Sequence, residues 1–154
     1  MARLVTKHVF QGGIEQVFTA ISSYDKYIKY LDMVSDIVVH PPEAKGSVCK
    51  VEYHVQVIKD IQYTLHMFHD APKKVSWTLA DSNFMKENSG SWSLKALSDS
   101  ETQATYSVDL KPKGFVPQVL IDQVTKASIP SLMASMQKLI DSLNKKKKAA
   151  SKKK

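Results

Sequence analysis

Residues 1–144 are predicted to form an α+β domain, an antiparallel sheet of about seven strands curved around one long C-terminal helix. Three observations point there. Helical spacing of apolar residues occurs early, between residues 14 and 31, and returns after residue 117. Between those stretches the apolar residues alternate with polar ones in short runs separated by turn residues. A sheet with one apolar face needs cover, and the terminal segment is the only predicted element large enough to supply it.

Ala2 to Phe10 is rich in β-branched residues and reads as the first strand, stopped by Gln11-Gly12-Gly13. Ile14, Val17, Phe18 and Ile21 then fall on one helical face. A second small helix follows from Tyr24-Asp25, with Tyr27, Ile28 and Leu31 on one side and Ser23 as its expected N-cap. Asp36–His40 reads as a strand ended by Pro41-Pro42. Over 47–58, Cys49, Val51, Tyr53, Val55 and Val57 occupy one phase, while Lys50, Glu52, His54 and Gln56 occupy the other. A turn near Lys59-Asp60 leads to Ile61, Tyr63, Leu65 and Met67. Beyond the Pro72-Lys73 turn come Val75, Trp77 and Leu79, then Trp92, Leu94 and Ala96, then Ala104, Tyr106, Val108 and Leu110. Pro117 suits the first turn of a helix. Residues 117–144 as one helix would run about 42 Å, with Pro130 bending it near Ala127.

The formal net charge of +7 comes from 22 Lys+Arg against 15 Asp+Glu. Seven of those lysines lie in the last ten residues, Lys145 to Lys154, so residues 1–144 hold 15 basic and 15 acidic groups. The body is neutral. Residues 145–154 are expected to be a disordered lysine-rich tail. The single Cys49 excludes a disulfide framework and a multi-cysteine zinc site, which fits a reducing compartment. No apolar run approaches the ~20 residues of a membrane span. The amino-terminal segment, with Arg3, Lys7 and His8 among its apolar residues, is not a signal peptide. A cytoplasmic setting is expected.

Catalytic constellations are sparse. His54 and His66 fall in the polar strand phase, and His66 and His69, three apart on a strand, face opposite ways, so no metal centre is expected. Cys49 lies in the inward phase, without a histidine to activate it. No P-loop or G-x-G-x-x-G is present, and no cofactor is expected.

The order of these elements resembles the helix-grip superfamily of START-like lipid carriers and polyketide cyclase-like proteins, nearest to the coenzyme Q-binding type. The segment from Gly13 to Ile21 looks like the family's first helix, and Tyr24-Asp25-Lys26-Tyr27 like its D-x-x-x-Y stretch, slightly shifted. Gly90-Ser91-Trp92-Ser93-Leu94 resembles its G-x-W-x-L strand, and Ala104 to Val108 the strand that follows. The resemblance covers residues 2–144. It implies a hydrophobic cavity between sheet and terminal helix, and no particular reaction, because the superfamily holds both enzymes and carriers.

Under that resemblance the inward strand phase would line the cavity. The candidates are Val51, Tyr53 and Val55 on one strand, and Tyr63, Leu65 and Met67 on the next. Val75, Trp77, Trp92, Leu94 and Tyr106 follow from the later strands. Leu120, Val124 and Ser128 would face it from the helix, and Phe115, in Phe115-Val116-Pro117, would form a lid. The expected function is non-catalytic binding or transport of a hydrophobic small molecule, a lipid or an isoprenoid quinone. Two alternatives stand beside it. One is a polyketide cyclase or aromatase-like enzyme that orients its substrate with tyrosines; the other is a ribosome-associating interaction protein. Residues Lys145–Lys154 offer contact with an anionic membrane surface, which would place the protein at the membrane's inner face, or with RNA.

Overall fold

The computed structural model describes residues 2–31, 34–56, 60–124, 126 and 129–152. Strand β1 (Ala2–Gln11) leads into helix α1 (Ile14–Ile21). A single 3-10 turn over Tyr24–Lys26 then runs into the short helix α2 (Tyr27–Tyr30). Six strands follow: β2 (Val34–His40), β3 (Cys49–Gln56), β4 (Asp60–Asp70), β5 (Lys74–Ser82), β6 (Met85–Ser98) and β7 (Glu101–Pro112). The chain closes with α3 (Gln118–Val124) and α4 (Ile129–Lys152).

All seven strands form one antiparallel sheet in the order β1-β7-β6-β5-β4-β3-β2. Strands β2 to β7 are a meander, and β1 joins it by pairing with β7 from Ala2↔Leu110 to Gln11↔Glu101. The inward phase read from the sequence is the buried one. Val51, Tyr53 and Val55 of β3, Leu65 and Met67 of β4, Val75 and Trp77 of β5, and Ala104 and Val108 of β7 are all buried. Lys50, Glu52 and His54 point the other way, where Glu52 accepts from His40 at 3.0 Å and from His54 at 2.6 Å.

Helix α4 lies across the inner face and meets α1 there. Met136, Leu139 and Ile140 from α4 are fully buried with Phe10, Val17 and Ile21. Gly12 makes that approach geometrically possible: its φ is +153°, and a Cβ placed on it would lie 2.9 Å from Ile140 Cγ2.

The structure corrects four sequence expectations. The single helix over 117–144 is two helices, α3 and α4, and Pro130 sits in the first turn of α4, where its missing N–H costs no hydrogen bond. Helical backbone continues to Lys152, into the segment expected as a disordered tail. Lysine is a good helix former, and cations near a helix C-terminus favour its dipole. Strand β6 begins at Met85, well before the alternating residues that mark it, because Glu87 to Ser89 are polar yet pair with β7. Ser23 does precede the second helical stretch, but its hydroxyl donates to the Thr19 carbonyl at 2.6 Å instead of capping.

Candidate functional site

Between the sheet and α4 lies a cavity of about 170 Å³. Nine of the candidates named from the strand phase line it: Tyr53, Val55, Tyr63, Leu65, Met67, Val75, Trp77, Trp92 and Tyr106. Val51 and Leu94 are buried outside its lining, Val51 between Val39 and Leu65 and Leu94 beside Ala104. Strand phase fixes the face a residue takes, not its depth along the sheet. Leu120 packs half-buried against the core outside the lining. Phe115 is 94% exposed and closes over nothing. The Val124 side chain and Ser128 lie outside the described residues.

The structure adds walls beyond these nine candidates. Ile21, Tyr24, Tyr27 and Leu31 enter from the α1–α2 region, and Ile129, Ser131, Leu132, Ser135 and Met136 from α4. Leu4 and Val34 come from β1 and β2, Ile61 from β4, Val108 and Leu110 from β7. Phe84, with Met85 and Asn88 of β6, completes the far end. A signal for the first group was present: Tyr24, Tyr27 and Leu31 share the helical stripe, which reads equally as ordinary core.

Eight aromatic residues stand in the walls among a majority of aliphatic ones. Tyr53 and Tyr63, paired across β3 and β4, stack with centroids 4.9 Å apart. Tyr106 contacts both indoles, Trp92 at 4.6 Å and Trp77 at 5.9 Å between centroids. Trp77 has room because its cross-strand partner is Gly90; a Cβ there would lie 2.6 Å from the indole and 2.2 Å from the Ser107 carbonyl oxygen.

Polar groups in the lining fall into two sets. Some are already engaged. Tyr24 O–H and His69 Nε2 share a hydrogen bond of 2.7 Å, Tyr27 O–H donates to the Ile21 carbonyl, and Trp77 Nε1–H donates to Asn88 Oδ1 at 3.0 Å. The Asn88 amide also donates to Met85 Sδ at 3.5 Å, a weak use of one of its two N–H groups. In contrast, the hydroxyls of Tyr53, Tyr63 and Tyr106 have no partner among the described residues. Burial, first, and then the neighbouring phenols push Tyr53 well above the ordinary tyrosine range. Burial pushes Tyr106 up to about 12 and raises Tyr63 as well. All three stay protonated at neutral pH and offer O–H donors into the cavity. No Asp, Glu, Lys, Arg or His lines it among the described residues. Such a lining can solvate a neutral molecule through apolar contact and through hydrogen bonds to acceptor oxygens.

Solved structures share this fold. A START superfamily protein from Mycobacterium smegmatis superposes with a TM-score of 0.80 over 92% of this chain and 98% of its own, at 11% identity. The chain has the START-like helix-grip fold. The Zhui aromatase/cyclase from Streptomyces sp. R1128 superposes on the helix-grip chain with a TM-score of 0.78, at 13% identity over 91% of this chain and 93% of its own. A conserved protein from Geobacillus kaustophilus gives 0.72 at 16% identity, covering 92% and 96%. No protein-family model matches the sequence, and no curated protein does either. No helix among the described residues of this helix-grip chain is long and apolar enough to cross a membrane.

Proposed function

We propose that the protein binds and carries a neutral, ring-bearing hydrophobic molecule in the cavity between sheet and α4. One observation carries the reading: a cavity without charged lining residues, whose walls include three protonated tyrosines, Tyr53, Tyr63 and Tyr106, with no hydroxyl partner among the described residues. A buried hydroxyl without a hydrogen bond costs about 1–3 kcal/mol, so a ligand with acceptor oxygens gains by supplying what the protein leaves open. An ionised ligand would lose its water and meet no counter-charge, which is far more costly. Size narrows the class. A cavity of about 170 Å³ resembles the ~150 Å³ void that takes benzene, and holds a ring system rather than a whole lipid. An isoprenoid quinone suits it with the ring inside and the chain outside. The lysine-rich segment 145–154 would then serve as a salt-sensitive tether to an anionic surface.

An aromatase/cyclase-like activity is the second reading, and the same hydroxyls favour it, since they are placed to hold ketone oxygens. The lining has donors for that role and no carboxylate or imidazole base, so carriage is the better supported function. Organic extraction of natively purified protein followed by mass spectrometry tests the proposal. A neutral, oxygen-bearing ring compound at near one per chain is expected. Recovery of only ionised amphiphiles would contradict it.

A further inference from the structure

Asn88 is buried and lines the cavity with Trp77 and Met85. Two contacts set the orientation of its amide. Trp77 Nε1 is a donor only, so the amide atom 3.0 Å from it is the oxygen, Oδ1. The other prong, Nδ2, lies 3.5 Å from Met85 Sδ, a weak acceptor for one of its two N–H groups. The second N–H has no partner among the described residues.

An amide held this way differs from the hydroxyls of Tyr53, Tyr63 and Tyr106. A hydroxyl turns about its bond and serves as donor or acceptor, so it takes a ketone or an alcohol alike. The Nδ2 group of Asn88 can only donate. The side chains nearest it in the wall are Trp77, Met85 and its cross-strand partner Leu110, and none of them is a strong acceptor. A carbonyl oxygen placed there gains the open N–H and leaves nothing unpaired. A hydroxyl oxygen gains the same bond but buries its own O–H without an acceptor, which costs more than the bond returns.

We propose that Asn88 is the residue by which the cavity selects a ring ketone over the matching ring alcohol. The proposal rests on the carrier reading and narrows its ligand: the oxygen that meets Asn88 is a carbonyl. Trp77 acts as a positioning residue, because its indole N–H keeps Oδ1 turned away from the ligand.

Isothermal titration calorimetry of the full chain with 1-tetralone and 1-tetralol compares a ketone and an alcohol on one fused-ring skeleton. In the wild type the ketone is expected to bind about tenfold more tightly, the effect of one unpaired hydroxyl. In Asn88→Leu that ratio should fall to near one. Trp77→Phe keeps the amide but frees it to turn Oδ1 toward the ligand, so it should lower the ratio by tightening the alcohol. A ratio taken within one protein cancels any shared change in cavity shape or stability. One of the two Asn88 Nδ2 protons should also move downfield in NMR spectra as 1-tetralone saturates the wild type, a shift that a purely structural amide would not show. Equal affinity for the two probes in the wild type would overturn the proposal and leave the carrier reading standing. So would an unchanged ratio in Asn88→Leu or, where that variant fails to fold, in Trp77→Phe. Failure of both probes and of 2-naphthol to bind would overturn the carrier reading and this proposal with it.

Discussion

The indole N–H of Trp77 donates to Oδ1 of Asn88 at 3.0 Å, tying β5 to β6 across the end of the cavity. Both residues are buried and both line it. The bond removes the one polar atom of Trp77 from the lining's open donors. Replacing Asn88 with Leu strands the indole N–H in an apolar setting. Urea unfolding of Asn88→Leu is expected to show a loss of about 1–3 kcal/mol, and Trp77→Phe in the same background should recover part of it.

Gly90 lies beneath the same indole. Its substitution by Ala sets a Cβ 2.2 Å from the Ser107 carbonyl oxygen, a backbone atom of the central β6–β7 pair that has little freedom to move. Gly90→Ala should therefore destabilise by about 1–3 kcal/mol in thermal melts and displace Trp77, with a change in its fluorescence.

The open hydroxyls make a different prediction for the tyrosines. Phe at position 53, 63 or 106 removes an oxygen that has no partner among the described residues, so stability should change little or rise slightly. Affinity for an oxygen-bearing ring ligand should fall about three- to tenfold for each hydroxyl that the ligand engages. A stability loss as large as that of Asn88→Leu would mean that these hydroxyls are structural.

Alkaline titration reports on the same groups. Tyr106 is raised to about 12 in the fold, whereas an unfolded tyrosine ionises near 10. The folded state thus keeps its proton longer than the unfolded one. Its contribution to stability is fully present below about pH 10 and is lost as pH climbs through 12. Phenolate absorbance from Tyr53, Tyr63 and Tyr106 should appear only with unfolding.

His69 works in the opposite direction. Burial lowers its pKa, and its Nε2 is held by the Tyr24 hydroxyl. An unfolded histidine accepts a proton near 6.5, before the folded one does. The stability this represents is present above about pH 6.5 and is lost as pH falls through the folded value. Acid unfolding curves of His69→Gln should be flatter over that window than those of the wild type.

Much of this architecture was legible before any coordinates. Alternation over Val51, Tyr53 and Val55 and over Val75 and Trp77 marks the inward face, because a period of two admits only two faces. The cavity's extent was not legible, since Val51 and Tyr53 share a phase and differ only in what stands opposite them across the interior. Asn88 was hidden for another reason: it sits in a polar run, Glu87 to Ser89, that gains its strand geometry from pairing with β7 rather than from its own pattern. The helix break between Val124 and Ile129 shows the same limit, as a shared apolar stripe on α3 and α4 reads as one helix. Phe115 shows it again from outside the core. Its position two residues before Pro117 marked the approach to a helix, and only packing reveals that Val116, not Phe115, turns inward.

The account rests on the cavity accepting a neutral ring and refusing a charged one. Isothermal titration calorimetry of the full chain with 2-naphthol and with 2-naphthoate compares two probes of nearly one shape and different charge. Saturable binding of 2-naphthol at one per chain, abolished when Ser135 on the α4 wall is enlarged to Leu, is the predicted result. Equal or tighter binding of 2-naphthoate, or 2-naphthol binding untouched by Ser135→Leu, would contradict it.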